Sequence, residues 1–303
     1  MTLQFQHSSF QTTSSLGLRQ DILPMRLYHK AKKLGIWNPV SIDFTQDIQD
    51  WQNCSPEEQE TLLTLTSLFQ AGEESVTLDI LPMISVIARQ GRLEEELFLT
   101  TFLFEEAKHT EFFRRFLDEV THTTKDLHGY LSPSYRKIFF EELPQTMGAL
   151  NTDFSARAQA CAAVTYNMIV EGVLAETGYQ AYFDMLDRNQ IMPGLKQGLV
   201  YLKRDESRHI AYGIFLISRL VAENIEVWDA IEQRMNELLP YALDVIQETD
   251  SSLPAGEENR FGIRLTDYVE FAVNQFTRRL QKIEQSRTRT LEQLYQDQPE
   301  LLQ

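Results

Sequence analysis

The sequence predicts an all-α fold: a four-helix bundle with additional helices packed around it. Three observations predict it. Apolar residues recur at helical spacing through most of the chain, separated by caps and short polar breaks. No run alternates apolar and polar residues as a half-buried strand would. Gly (13) and Pro (10) are sparse in 303 residues, against the needs of a turn-rich β fold.

The elements follow in order. Residues 1–20, rich in Gln, Ser and Thr, are expected to form a mobile arm. Ser55 caps a long helix, Pro56 fits its first turn, and Glu57 and Glu58 suit its positive end. That helix is expected to run to about Arg89, with a kink at Pro82. Gly91 punctuates, and a second helix covers 93–120. A polar, turn-like segment leads to a shorter helix over 134–150 and a loop over 151–155. Further helices are expected over 156–188, 193–224, 227–248 and 264–294. Short connections make consecutive long helices antiparallel. No composition break divides the chain, so 1–303 reads as one domain, with a bundle core over 55–224 and accessory helices over 225–303.

Composition excludes several functions. The net charge is −16, with 44 acidic against 28 basic residues, which disfavours nucleic acid and anionic membrane surfaces as partners. Cys54 and Cys161 are the only cysteines, too few for a disulfide framework or a cysteine-based zinc site. No apolar run reaches the ~18 residues of a membrane span, and the N-terminus lacks a signal-peptide core. A soluble, cytoplasmic protein is expected.

Some of the acids sit where solvated acids do not belong. Glu106 and His109 lie on the stripe Leu99, Phe102, Leu103, Phe113, Phe116. Glu206 and His209 lie on the stripe Leu195, Leu199, Leu202, Gly213, Leu216. A Glu and a His three apart share one helix face, so both pairs point inward, where an unpaired carboxylate is expensive. Glu73 and Glu171 fall on similar stripes, 33 residues before Glu106 and 35 before Glu206. Each spacing takes a helix up to a turn and its partner back down to the same height, near Gln90 and Gly91 or near 190–194. Two such hairpins gather four Glu and two His at one level of the bundle. That set is the carboxylate ligation of two metals in ferritin-like bundles. A lone Glu-x-x-His is weak: Glu119 and His122 form a third, about 220° around the helix from Glu106, and read as a solvated helix end. Glu74, Glu105 and Asp205 adjoin the chosen acids, and Asp205 is placed to orient a ligand histidine. Oxygen-rich ligation with two imidazoles suits iron or manganese.

The stretches AGEESVTLDILPM (71–83), 89–113, 162–179 and DESRH (205–209) resemble the ribonucleotide reductase small-subunit superfamily, and more closely its ligand-binding oxidase branch. The resemblance spans 20 to about 220. It implies that Glu73, Glu106 and His109 hold one metal and Glu171, Glu206 and His209 the other, with Glu106 able to bridge. It implies a manganese–iron pair, with iron–iron as the alternative, and dioxygen as co-substrate. It further implies a long-chain fatty acid at the metals and an ether crosslink between Val76 and Tyr166. A homodimer is expected. By α-helical spacing Tyr166 is offset from Glu171, five residues on, yet long enough to approach the site. Tyr179 and Tyr212 receive no role. The helices bearing Phe102, Phe113, Val164, Met168 and Leu202 are expected to leave an apolar channel for the fatty acid beside the metals.

Rival readings remain at this point. A reductase small subunit usually carries a radical Tyr where this chain has Phe113, although a minority have Phe there and use manganese–iron itself. An acyl desaturase shares the ligand set but not the Val–Tyr pair. A non-catalytic lipid- or metal-binding protein needs no turnover with dioxygen.

Overall fold

The computed structural model describes residues 9–249 and 256–297. In chain order its helices are α1 (Leu23–Leu34), α2 (Thr45–Asn53), α3 (Pro56–Asp79), α4 (Leu81–Arg89), α5 (Leu93–Phe116), α6 (Pro133–Arg136), α7 (Leu143–Ala149), α8 (Ala156–Ala163), α9 (Glu176–Asn189), α10 (Pro193–Glu223), α11 (Trp228–Glu248), α12 (Leu265–Gln285) and α13 (Leu291–Tyr295). Wide π-helical turns continue three of these rods, over Leu117–Thr121, Lys137–Glu142 and Val164–Ala175. No strand occurs among the described residues.

The bundle consists of α3, α5, the rod from α8 through Val164–Ala175 to α9, and α10. α3 packs on α5, and the π-helical stretch packs on α10. Local chemistry starts the first rod as expected: the Ser55 side chain accepts from the Glu58 amide while the Glu58 carboxylate accepts from the Ser55 amide. The kink foreseen at Pro82 falls at Ile80, between α3 and α4, with Pro82 in the first turn of α4. Gly91 takes φ +69, a left-handed conformation that glycine adopts without penalty, and closes the first hairpin. The second hairpin turns through Gln190 and Met192, both at φ 53. Its return helix α10 is capped from a distance: buried Asp47 of α2 accepts from the Gly194 and Leu195 amides at 2.9 and 2.6 Å.

Aromatic rings fill the interior where small residues admit them. A Cβ on Gly198 would lie 2.1 Å from the Phe112 ring, and one on Gly178 would lie 2.6 Å from Phe69. Each fully buried ring of this kind stabilises the fold by ~1.5–3 kcal/mol.

Four expectations change. α1 and α2 lie in a stretch where no helix was expected; they pack on α5 and α10. The rod expected over 264–294 breaks after Gln285. Arg289 is extended there, and Thr290 recaps the chain to start α13, so the final helix is separate. The tail residues 298–303 and the arm residues 1–8 lie outside the described residues. Within the arm, Gln11 Nε2 and the Arg19 amide both donate to the buried Glu94, at 2.7 and 3.0 Å. Last, the π-helical geometry of Val164–Ala175 was not anticipated from its sequence.

Candidate metal centre

Glu73 projects from α3, Glu106 and His109 from α5, Glu171 from the π-helical stretch, and Glu206 and His209 from α10. All six are buried. They form two overlapping groups whose facing atoms lie within 4.8 Å of one another: Glu73, Glu106, His109 and Glu206, and then Glu106, Glu171, Glu206 and His209. Glu106 and Glu206 belong to both. Glu106 turns Oε2 toward His109 Nδ1 (3.7 Å) and Oε1 toward His209 Nδ1 (3.0 Å). Glu206 turns Oε1 toward His109 Nδ1 (3.3 Å) and Oε2 toward His209 Nδ1 (3.5 Å). Each central carboxylate thus offers one oxygen to each side.

Two metal ions fit this arrangement. Both Glu106 oxygens, Glu171 Oε1, Glu206 Oε2, His109 Nδ1 and His209 Nδ1 are buried without hydrogen-bond partners. Buried polar atoms are rarely left so, and here the orphans converge. Four carboxylates beside two neutral imidazoles also balance the charge of two dications. Without them the acids crowd: burial pushes Glu73 up to about 8 against the pull of His109. Burial and then the charge of Glu206 raise Glu171 well above the carboxylate range. Burial acts to raise Glu106 too, but contact with both imidazoles overrides it and holds that group at about 2.

The imidazoles are braced crosswise. His109 Nε2 lies 3.3 Å from Asp205 Oδ2, and His209 Nε2 lies 3.0 Å from Glu105 Oε2. The residue just before each Glu-x-x-His therefore orients the histidine of the other one, leaving both Nδ1 atoms for the centre. Arg208 Nη2 donates to both braces, at 2.5 Å each. Asp205 also accepts from Trp37 Nε1 (2.8 Å) and Lys108 Nζ (3.2 Å). Glu105 approaches the backbone so closely that a Cβ on Gly35 would lie 1.9 Å from its Oε1. The Phe102 ring stacks on His209, with centroids 3.6 Å apart.

The Tyr166 hydroxyl donates to the Val76 carbonyl at 3.2 Å. Five residues on an α-helix separate side chains by ~140°. The wider turn of a π-helix narrows that separation and so reduces the expected offset of Tyr166 from Glu171. Burial, and then the nearby carboxylates led by Glu106, hold the Tyr166 phenol well above its ordinary value.

The remaining expectations sort cleanly. Glu119 is exposed and paired with Arg115 at 2.7 Å, and His122 ends its helix at φ 48, so the third Glu-x-x-His is a helix end. Tyr212 donates to Glu95 at 3.0 Å, away from the centre. Tyr179, given no role, donates to Glu73 Oε1 at 3.1 Å. Phe113 stacks on Phe69. An apolar cavity does lie beside the centre, but other side chains line it. Phe102, Phe113, Val164, Met168 and Leu202 are packed core, and the cavity runs instead along Leu65, Phe69, Gly72, Val76, Leu174 and Gly178, opening onto Glu73, Glu106, Glu171 and Glu206. Its far wall comes from Ile246, Ile263 and Tyr268, so the accessory helices complete it. Sequence reading also missed the roles of Glu105, Arg208, Trp37 and Asn167. Only the repeated acid before each Glu-x-x-His carried a signal for any of them.

The model of the family described as ribonucleotide reductase, small chain, matches residues 25–285. Among solved structures, the chain is similar to an R2-like ligand-binding oxidase in three variant forms. A tyrosine-to-phenylalanine variant with an aerobically reconstituted Mn/Fe cofactor shares 40% identity over 91% of this chain and 98% of that one, with a TM-score of 0.85. A valine-to-alanine variant with an anaerobically reconstituted Mn/Fe cofactor shares 40% over 93% and 100%, with a TM-score of 0.86. A glycine-to-leucine variant, also anaerobically reconstituted, shares 40% over 94% and 100%, with a TM-score of 0.87. The substituted glycine, valine and tyrosine are spaced along their chain as Gly72, Val76 and Tyr166 are along this one. With a two-metal carboxylate fold, a family match over most of its length and relatives of this identity, the chain belongs to the ribonucleotide reductase small-chain family, on its ligand-binding oxidase branch.

Proposed function

We propose that this protein is a dioxygen-dependent two-metal oxidase that binds a long-chain fatty acid at its metals and joins Val76 to Tyr166 through an ether bond. Glu73, Glu106, His109, Glu171, Glu206 and His209 are the proposed ligands of one manganese and one iron ion. The bound pair supplies electrons to dioxygen and an electrophilic site for a carboxylate. The observation that carries the reading is the Tyr166 hydroxyl hydrogen-bonded to Val76, beside the paired clusters. Phe113 supports it from the other side, because the usual radical-bearing phenol of a reductase subunit is absent at that position.

The residues divide the work. Asp205 and Glu105 fix the imidazole tautomers, so each histidine presents Nδ1 inward. Phe102, Phe113 and Met168 exclude water around the centre. The cavity gives an acyl chain an apolar course to four carboxylates. Those acids alone would repel a fatty-acid head group; two dications between them would balance their charge and relieve that repulsion. For the crosslink, the Val76 Cβ–H and Tyr166 O–H bonds break and one C–O bond forms. Dioxygen would be the oxidant: the crosslink gives up two electrons and two protons, and a bound, reduced metal pair would supply the other two electrons, with two protons from solvent, for its reduction to water. Val76 presents a tertiary C–H one helical turn from Glu73, so proximity selects it.

Anaerobic loading with both metals, then oxygen exposure, tests the reading by elemental analysis and intact mass. Two ions per chain and a mass lower by two hydrogens are expected. A metal-free or single-zinc protein would overturn the ligand assignment, and an unmodified mass after turnover would overturn the crosslink. Organic extraction and mass spectrometry should recover a fatty acid. Sedimentation should give a homodimer and cell fractionation a cytoplasmic location; no described helix is long and apolar enough to cross a membrane.

A further inference from the structure

We infer that Asn167 is a positioning residue that restricts Glu171 to coordination through one oxygen and so keeps a metal position open beside the cavity. The inference rests on the two-metal reading above. Asn167 Nδ2 donates to Glu171 Oε2 at 2.8 Å, and both side chains are buried. Glu171 Oε1 has no hydrogen-bond partner and lies 3.8 Å from His209 Nδ1. The carboxylate is thus divided: one oxygen satisfied by an amide, the other free for a cation. A hydrogen bond to a buried carboxylate is charge-assisted, so turning Oε2 away from Asn167 and toward a metal works against that bond.

Shape fixes the amide. A Cβ on Gly213 would lie 2.2 Å from the Asn167 Cβ. Gly213 is four residues beyond His209, so the helix that carries the imidazole also seats Asn167. The turn that carries Glu171 is crowded as well: a Cβ on Gly172 would lie 2.9 Å from the Arg279 guanidinium. Arg279 donates to the Gly172 carbonyl and to Glu176. The wide turn bearing Glu171 is held at both edges. Glu171 lines the cavity together with Glu106 and Glu206. Its second oxygen on a metal would take the place that an incoming carboxylate or dioxygen needs.

The test uses the full chain, loaded with iron and freed of copurified lipid, with azide as the probe of an open position. Asn167→Leu removes the donor and keeps a similar volume against Gly213; Asn167→Asp removes it in nearly the same shape and decides the matter if the Leu variant does not fold. Both are expected to keep the iron stoichiometry of the parent protein. Visible titration should show azide bound about 10- to 100-fold more weakly. Crystal structures of the iron-loaded variants should show both Glu171 oxygens on iron. Unchanged azide affinity with Glu171 still bound through one oxygen overturns the inference alone. A parent protein that takes up no iron overturns the two-metal reading, and the same elemental analysis distinguishes that outcome.

Discussion

Glu73, Glu106 and His109 stand on regular α-helical turns, whereas Glu171, their counterpart in the second half, stands on a π-helical one. The bracing differs as well. Asp205, behind His109, accepts from Trp37, Lys108 and Arg208, and Trp37 is only half-buried. Glu105, behind His209, accepts from Arg208 and packs against Gly35, with the Phe102 ring over the imidazole. A sequence-level repeat has therefore become two unlike environments. One half is tied to a polar network that reaches toward the surface, and the other is enclosed and carries Tyr166. Two like ligand sets in different surroundings would give the proposed manganese–iron pair a physical basis.

The largest expected effect comes from removing either imidazole. His109→Ala or His209→Ala should lower the metal content from two ions per chain to one or fewer by elemental analysis. Retention of both ions in both variants would dissolve the division into halves. Next, Tyr166→Phe should abolish the crosslink completely while the metals stay, because the phenol lies outside both clusters. Peptide mapping after aerobic turnover reads this directly; linked peptides in the variant would refute it.

The braces should rank next and separate the halves. Asp205→Asn and Glu105→Gln are each expected to weaken metal binding ~10- to 100-fold. The Asp205 change should cost more, because it also disturbs the buried Lys108. Competition with a chromophoric chelator would measure both, and equal losses would mean the networks do not matter. Gly198→Ala, which drives a methyl group into Phe112, should cost ~1–3 kcal/mol of stability in denaturant unfolding with metal content intact. The smallest effect is that of pH on the metal-free protein. Glu73 is raised from 4.5 to about 8, so the folded state holds a proton that the unfolded state releases between those values. His109 and His209 are raised too, despite burial, by the carboxylates around them, and they act in the same direction. Stability should therefore fall as pH rises from about 5 to 8, and metal uptake should strengthen as Glu73 deprotonates. Thermal unfolding across that range checks the sign; a metal-free protein more stable at the upper end would contradict it.

The sequence by itself determined the long bundle helices and the six residues that meet at the centre. Inward stripes at 3.6-residue spacing, interrupted only by Glu and His, leave those side chains nowhere else to go, and the equal arms of each hairpin set their height. It also carried the acid before each Glu-x-x-His, although not which histidine that acid would reach. Only the tertiary structure decided that Asp205 serves His109 and Glu105 serves His209, since both contacts cross between α5 and α10. It decided, too, that Val164–Ala175 widens into π-helical turns that bring Tyr166 closer to the face of Glu171. That geometry depends on packing against α10, α11 and α12 and on Arg279 at the Gly172 carbonyl. The cavity was illegible for the same reason. Its walls join side chains from α3, α9 and α12, and a helical stripe records which face is buried but not whether the neighbour opposite fills the space or leaves it open.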